Sequence, residues 1–437
     1  MRKSATFAIV TLFAINILNF YDRNVAGAEV EPMRREFHLN DLQIGFLTTA
    51  MTLLYGFVGV PLGRIADIWS RKRLLAWGVL IWSVLTGSTY FAINYVMVLI
   101  SRLGVGVGEA TCAPTATSWL GDLVPRHKRA RVLALFMLGV PVGGALAYFF
   151  SGPIAQAFGP RLGWRIAMVA AAAPAVLLIP ALLASHEPHR GASEQIRDTA
   201  PPSMWSVLRI PTLLWIIASG ALLNFNMYAI GTFMPAMLGR IHGLGVRDAN
   251  IATGILYIAG GVLGGLVGGW IGDHIIHRRP NGRMTAAALI SIIAVPFAYF
   301  GAIQAKGHLM AAVILWTLAY GGLNTYYGLV YSSIHDIVAP AQRGATMALY
   351  FMAMYVCGAS WAGVVTGGLS DHFARVAAGA GPITELAKAL GLQQAMIVIP
   401  AVNIALAFVL WMGSRTILSD IAKRDAVVAA TAAAAQA

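Results

Sequence analysis

Long apolar runs separated by short charged turns dominate the chain from end to end. Twelve such runs are predicted as helices, at about 7–31, 41–64, 73–94, 96–121, 131–156, 165–184, 212–238, 249–274, 284–304, 309–334, 345–370 and 393–413. Each is close to the ~20 residues that a helix needs to cross a bilayer. A barrel would show alternating segments of about ten residues instead, and these runs are longer and unbroken. In lipid every backbone group must find its partner within the segment, so long continuous runs predict helices.

Composition agrees with that pattern. Of 437 residues, 58% are hydrophobic and 11% charged, where a soluble domain carries roughly 25% charged residues. A soluble enzyme, a disordered chain and a nucleic-acid-binding domain are excluded. The formal charge of +13 has a simpler source than nucleic acid. Of 31 Lys and Arg, 20 fall in the even-numbered loops and the two tails and 9 on the other side, with Arg23 and Arg102 inside spans. The positive-inside rule then places both termini in the cytoplasm of a multi-pass inner (plasma) membrane protein. Arg2-Lys3 followed by an apolar run imitates a secretory signal, but Asn16, Asn19, Asp22 and Arg23 interrupt the run, so it is expected to remain as the first span. Cys112 and Cys357 lie within apolar runs and give neither a disulfide framework nor a metal spacing.

The halves repeat. Leu18-Asn19-Phe20 returns as Leu223-Asn224-Phe225, Gly63-x-x-x-Asp67 with Arg71-Lys72-Arg73 as Gly269-x-x-x-Asp273 with Arg278-Arg279, and Asp122-x-Val124 as Asp336-x-Val338. The offsets are 205, 206 and 214 residues. A polar, proline-containing stretch follows the sixth run. The expected organisation is a six-helix bundle over 1–185, a cytoplasmic linker over 186–211, and a second six-helix bundle with a tail over 212–437. Such a repeat marks a transporter with its site at the midplane between two bundles.

The intramembrane charges are the candidate chemistry. A charge at the bilayer centre costs about 2.5–3.5 kcal/mol, so each should face a cavity or a partner. Asn16, Asn19, Asp22 and Arg23 form one polar stripe on the first span. Arg102 and Glu109 share a face of the fourth, about 10 Å apart along its axis. Asp22 is expected to pair with Arg102, leaving Arg23 for a substrate anion. Glu109, among Gly106, Gly108 and Ala110, is a partly desolvated carboxylate suited to exchanging protons near neutral pH, with Asp22 as second candidate. The second half has no acid at the position matching Glu109. It offers Asn224, Asn324, Tyr326, Tyr327, Tyr355 and Trp361 as an amphipathic wall. No set of paired acids, metal ligands or nucleophile and base suggests an enzyme, and no ring of charge suggests a channel.

Gly63-x-x-x-Asp67-x-x-Ser70-Arg71-Lys72-Arg73 resembles the signature loop of the major facilitator superfamily, with Ser70 where glycine is usual. The resemblance implies an all-α fold of twelve transmembrane helices in two pseudo-symmetric bundles. It also implies a conformational latch at Gly63, Asp67, Arg71 and Arg73, repeated at Asp273 and Arg278. Asn19-Phe20-Tyr21-Asp22-Arg23, Arg102 with Gly106-Val107-Gly108-Glu109-Ala110 and Pro114, and Pro141-Val142-Gly143-Gly144 resemble the Spinster branch. That implies secondary transport of a lysolipid or sphingoid-type lipid by alternating access, coupled to protons, with Asp22, Arg23, Arg102 and Glu109 as the functional charges. Similar pieces occur in symporters of hexuronates and other small organic anions, which is the alternative. The expected partners are the lipid or small-molecule substrate, protons and membrane lipids, with the protein a monomer. No cofactor, metal site or nucleic-acid partner is expected.

Overall fold

The computed structural model describes residues 3–124, 132–133, 135–189, 204–275, 279, 281–338 and 343–434. Among these the chain is helical throughout, with no strand. Eleven apolar helical stretches are long enough to cross a membrane, and one of them, Leu135–Ala184, has 50 residues. That is about twice one crossing. It is broken at Gly159, whose φ of 80° lies in the left-handed region, and Pro160 opens the next helix. The fifth and sixth spans meet there, so the eleven stretches carry twelve crossings.

Span one is Lys3–Ala28, span two Asp41–Ile68 and span three Arg71–Ser88. Span four is Tyr95–Glu109 and Cys112–Leu123. Spans five and six lie within Gly139–Leu177. Span seven is Pro211–His242, span eight Val246–Ile275, span nine Gly282–Ala302 and span ten Leu309–Ile337. Span eleven is Arg343–Met354 with Ser360–Ala378, and span twelve Val398–Ala434. Twelve crossings put both chain ends on one face, here the terminal face; the opposite face is the far face. Span one ends before its predicted run does, at Ala28, because a separate short helix, Val30–Phe37, begins two residues later. A second short far-face helix, Glu385–Ala395, precedes span twelve. Residues 190–203 of the expected linker lie outside the described residues.

Three spans depart from regular helix at positions that matter. Span four breaks at Ala110–Thr111, immediately after Glu109. Pro114 lacks the N–H that would bond the Ala110 carbonyl, which favours the break. Spans eight and eleven each contain a π-helical turn, Leu256–Val262 and Tyr355–Ala359. An inserted residue widens the helix there and re-aims the side chains that follow.

The repeat is visible as a device on the terminal face. Arg71 at the start of span three binds Asp122 at the end of span four, Nη1 to Oδ2 2.6 Å. Arg283 at the start of span nine binds Asp336 at the end of span ten, at 3.0 Å. Arg283 thus holds in the second half the place of Arg71. The sequence offset had matched the basic turn to Arg278, which lies outside the described residues; the loop after span eight is longer, so the register shifts. Ser70 donates its hydroxyl to Glu187 at 2.8 Å, and the same carboxylate accepts the N–H of Arg71 at 2.7 Å. Burial opposes ionisation of Glu187, but these hydrogen bonds and the Arg71 charge outweigh it and hold the carboxyl below the usual range. Gly63 packs toward Pro114 of span four. Arg73 and Asp273 are exposed and make no ion pair among the described residues. The Asp67 side chain lies outside the described residues.

The two halves meet along spans two and eleven, five and eight, and one and seven. Spans two and eleven touch backbone to backbone where Gly45 faces Gly363: a Cβ on either would run into the other's carbonyl oxygen. Nearby, Thr48 and Thr232 of the opposite half sit 3.1 Å apart through their hydroxyls. Gly45→Val should therefore hold the far face apart. Alkylation of a cysteine placed at Thr48, in a background without Cys112 and Cys357, should rise several-fold. Unchanged labelling would contradict the close crossing as the far-face contact.

Candidate substrate and proton site

The centre of the molecule is built around Arg23. Its Nε and Nη2 lie 2.9 and 2.8 Å from Oε2 of Glu109. Its Nη1 donates to the hydroxyls of Tyr355 at 2.9 Å and Tyr228 at 3.2 Å. The guanidinium also lies 4.5 Å from the ring centroid of Tyr55 and 4.9 Å from that of Phe20. Glu109 is fully buried, and its Oε1 has no hydrogen-bond partner among the described residues. One cation therefore joins a carboxylate of the first half to two hydroxyls of the second. Glu109 is the last residue before the break in span four, and Tyr355 opens the π turn of span eleven.

The expected Asp22–Arg102 ion pair is replaced by a relay. Thr86 of span three donates to Asp22 Oδ2 at 2.7 Å and accepts from Arg102 Nη2 at 2.8 Å. The remaining donors of Arg102, Nε and Nη1, have no partner among the described residues. Arg23, expected to be free for substrate, is the cation held by Glu109. The reason is geometric: Asp22 and Arg23 are adjacent, so they point about 100° apart around span one, and span four presents Glu109, not Arg102, to Arg23.

Asn19 is buried on the same span, with its amide nitrogen unpartnered among the described residues. Asn224 and Asn324 turn back onto their own helices, donating to the carbonyls of Gly220 and Tyr320. Tyr326 exchanges hydrogen bonds with Ser219 and Tyr350 inside the second half. Tyr327 stays half-buried between Tyr326 and Tyr331. Trp361 is a correction: it is 57% exposed on the outside of span eleven. Its neighbour Ser360 faces Thr52 of span two at 3.3 Å, which turns Trp361 away from the interface. Tyr55 and Thr86 are site residues that sequence reasoning missed. Tyr55 and Tyr355 stack at 4.5 Å between centroids. Phe20, Tyr55, Tyr228, Tyr327 and Tyr355 are all half-buried, an aromatic wall beside the ion pair.

The far face is clamped by a second charge network. Arg240 at the end of span seven grips Asp41 with two bonds, at 2.7 and 2.8 Å, and donates from Nε to Glu31 at 2.6 Å. Arg34 binds Glu385 at 2.8 Å. Asp371 of span eleven accepts the N–H groups of Asp41 and Leu42, at 3.0 and 2.9 Å, where span two begins. A carboxylate there also meets the positive end of the helix dipole. Among the described residues, the ion pairs that join the two halves are Arg34–Glu385, Arg240–Glu31 and Arg240–Asp41, all at the far face.

A family model described as Major Facilitator Superfamily matches residues 12–362. The chain belongs to the major facilitator superfamily. It is a transporter of that superfamily, and it resembles Spinster proteins. An MFS-type efflux pump of Mycolicibacterium smegmatis is 25% identical over 96% of this chain and 95% of its own. Human spinster homolog 1 is 24% identical over 84% of this chain and 73% of its own. The crystal structure of a bacterial homolog of the human lysosomal transporter Spinster, inward-facing and unoccupied, superposes with a TM-score of 0.84 at 25% identity, covering 96% of this chain and 99% of that one. A D-xylose–proton symporter shares the fold, with a TM-score of 0.72 at 14% identity.

Removing one member of a buried ion pair strands the other, at a cost of about 3–5 kcal/mol. Arg23→Gln should lower the melting temperature of the detergent-solubilised transporter markedly. The double variant Arg23→Gln/Glu109→Gln should recover part of that loss. Additive losses in the double-mutant cycle would contradict direct coupling between the two side chains.

Proposed function

We propose that this transporter moves an amphipathic anionic or zwitterionic lipid, of lysolipid or sphingoid type, by alternating access coupled to protons through Glu109. The observation that carries the reading is the sharing of Arg23 between Glu109 and the tyrosines of the opposite half. While Glu109 is ionised, it occupies the cation that an anionic head group needs. Protonation of Glu109 removes that competitor and leaves Arg23 to the substrate. The half-buried aromatic wall then suits the apolar body, and Arg23 can lie against Tyr55 by cation–π attraction in either state. Arg102, Thr86 and Asp22 form the neighbouring polar group, with Asp22 as a second proton site.

Rocking of the two six-span bundles about the midplane supplies alternation. The bundles are taken as 1–185 and 212–437, joined by 186–211. The Arg240 clamp holds the far face closed in the present conformation, while Arg71–Asp122 and Arg283–Asp336 fix span pairs on the terminal face. We place the protein, as a monomer, in the inner (plasma) membrane with both termini in the cytoplasm. The name of one relative, an MFS-type efflux pump, agrees with secondary transport of a substrate.

The test is transport in proteoliposomes, with labelled lysolipid in one arm and labelled hexuronate in the other. An imposed pH gradient should drive lysolipid accumulation. Glu109→Gln, which imitates the protonated acid, should bind and exchange lysolipid but lose the gradient-driven part by about tenfold or more. Accumulation of hexuronate without lysolipid would favour a small-anion symporter. Full pH-driven accumulation by Glu109→Gln would remove Glu109 from the coupling.

A further inference from the structure

A cavity of about 710 Å³ opens on the terminal face, away from the Arg23 site, between the end of span eight, the start of span nine and span twelve. Arg279 and Arg415 line it, with Asn281, Trp411 and Leu418. Both arginines are exposed, and neither has a carboxylate partner among the described residues. Arg283 also starts span nine, but its charge is spent on Asp336. Arg415 lies 5.0 Å from the Trp411 ring centroid, which orients the guanidinium at the cavity wall. The Asn281 amide makes one long contact, 3.5 Å, with the Ser414 carbonyl and keeps a second N–H to donate.

The apolar side of the cavity is equally specific. Trp411 is 45% and Leu418 49% exposed on the outer surface of span twelve, and Phe408 stacks beside Trp411. Trp411 lies at the end of the apolar run 393–413, and tryptophan there marks the level of the lipid head groups. Two unneutralised guanidiniums, an amide donor and an apolar edge at that level match one ligand chemistry: a phosphate ester carried on acyl chains. The volume falls in the range of small-molecule sites, and the guanidinium fork suits phosphate oxygens.

We propose that this cavity is a binding site for the phosphate head group of an anionic membrane phospholipid, distinct from the transported substrate. Its acyl chains run along Trp411 and Phe408, toward the membrane interior, and the bound lipid ties span twelve to the start of span nine. The occupant comes from the leaflet on the terminal face. Inorganic phosphate offers the same oxygens but no chains.

The test is native mass spectrometry of the purified full-length protein with phosphatidylglycerol, with phosphatidylcholine and with inorganic phosphate as competitor. Wild type should retain one more tightly held phosphatidylglycerol than Arg279→Gln/Arg415→Gln, with affinity at that site lower in the variant by about tenfold or more. Arg279→Lys/Arg415→Lys should keep most of that retention, which separates the charge from a folding effect. Equal retention of phosphatidylglycerol by wild type and the Gln variant would overturn the site. Equal retention of phosphatidylcholine would overturn its anionic selectivity, and full displacement by millimolar inorganic phosphate would overturn the lipid as occupant.

Discussion

A guanidinium buried at the middle of a membrane protein has to be compensated, and here the compensation comes from both halves at once. Arg23 receives a carboxylate from span four and hydroxyls from spans seven and eleven. Glu109 of the first half neutralises its charge, and the second half adds two hydroxyl acceptors. The pair Arg23–Glu109 lies within the first half, so it can persist through rocking. The bonds to Tyr228 and Tyr355 cross the interface and must be remade or exchanged. That division makes Arg23 the point at which substrate, proton and bundle position meet.

The surrounding irregularities follow from this constraint. A regular span four would continue past Glu109, whereas the break at Ala110–Thr111 ends the helix there. A regular span eleven would not place Tyr355 at the start of a π turn, facing Tyr55 across the interface. π turns recur at functional sites because they re-aim a side chain without ending the helix. The Gly45–Gly363 crossing and the Arg240 clamp close the far side around the same axis. Their materials differ: close backbone packing at one level, charge at the rim. A charge network at the rim can dissolve into water when the halves part, which close packing cannot do.

Much of this was legible in the amino-acid pattern. The twelve crossings, the repeat and the four intramembrane charges follow from hydropathy and from the cost of burying a charge. What was not legible was the pairing. Asp22 and Arg23 are neighbours in sequence, and which of them meets span four depends on the rotation of span one, an angle that no periodicity supplies. Trp361 is a wall residue by type, yet one step around the helix from Ser360 it points to the outside of the protein. Tyr55 carries no motif; it matters because span two brings it to Arg23. The repeat offset points to Arg278 as the counterpart of Arg71, whereas the ion pair that matches Arg71–Asp122 is made by Arg283, further along a longer loop. Ser70, a departure from the signature loop, is used directly as a donor to Glu187.

The central claim is that substrate and Glu109 compete for one cation. Proton counting on binding tests it without transport: substrate is added to purified protein in weakly buffered detergent solution and the pH change is recorded. If an anionic head group displaces Glu109 from Arg23, the freed carboxylate takes up about one proton per substrate bound at a pH where it was ionised. Glu109→Gln should bind with no proton uptake. Binding by the wild type with no proton uptake across the neutral range, or equal uptake by Glu109→Gln, would contradict the account.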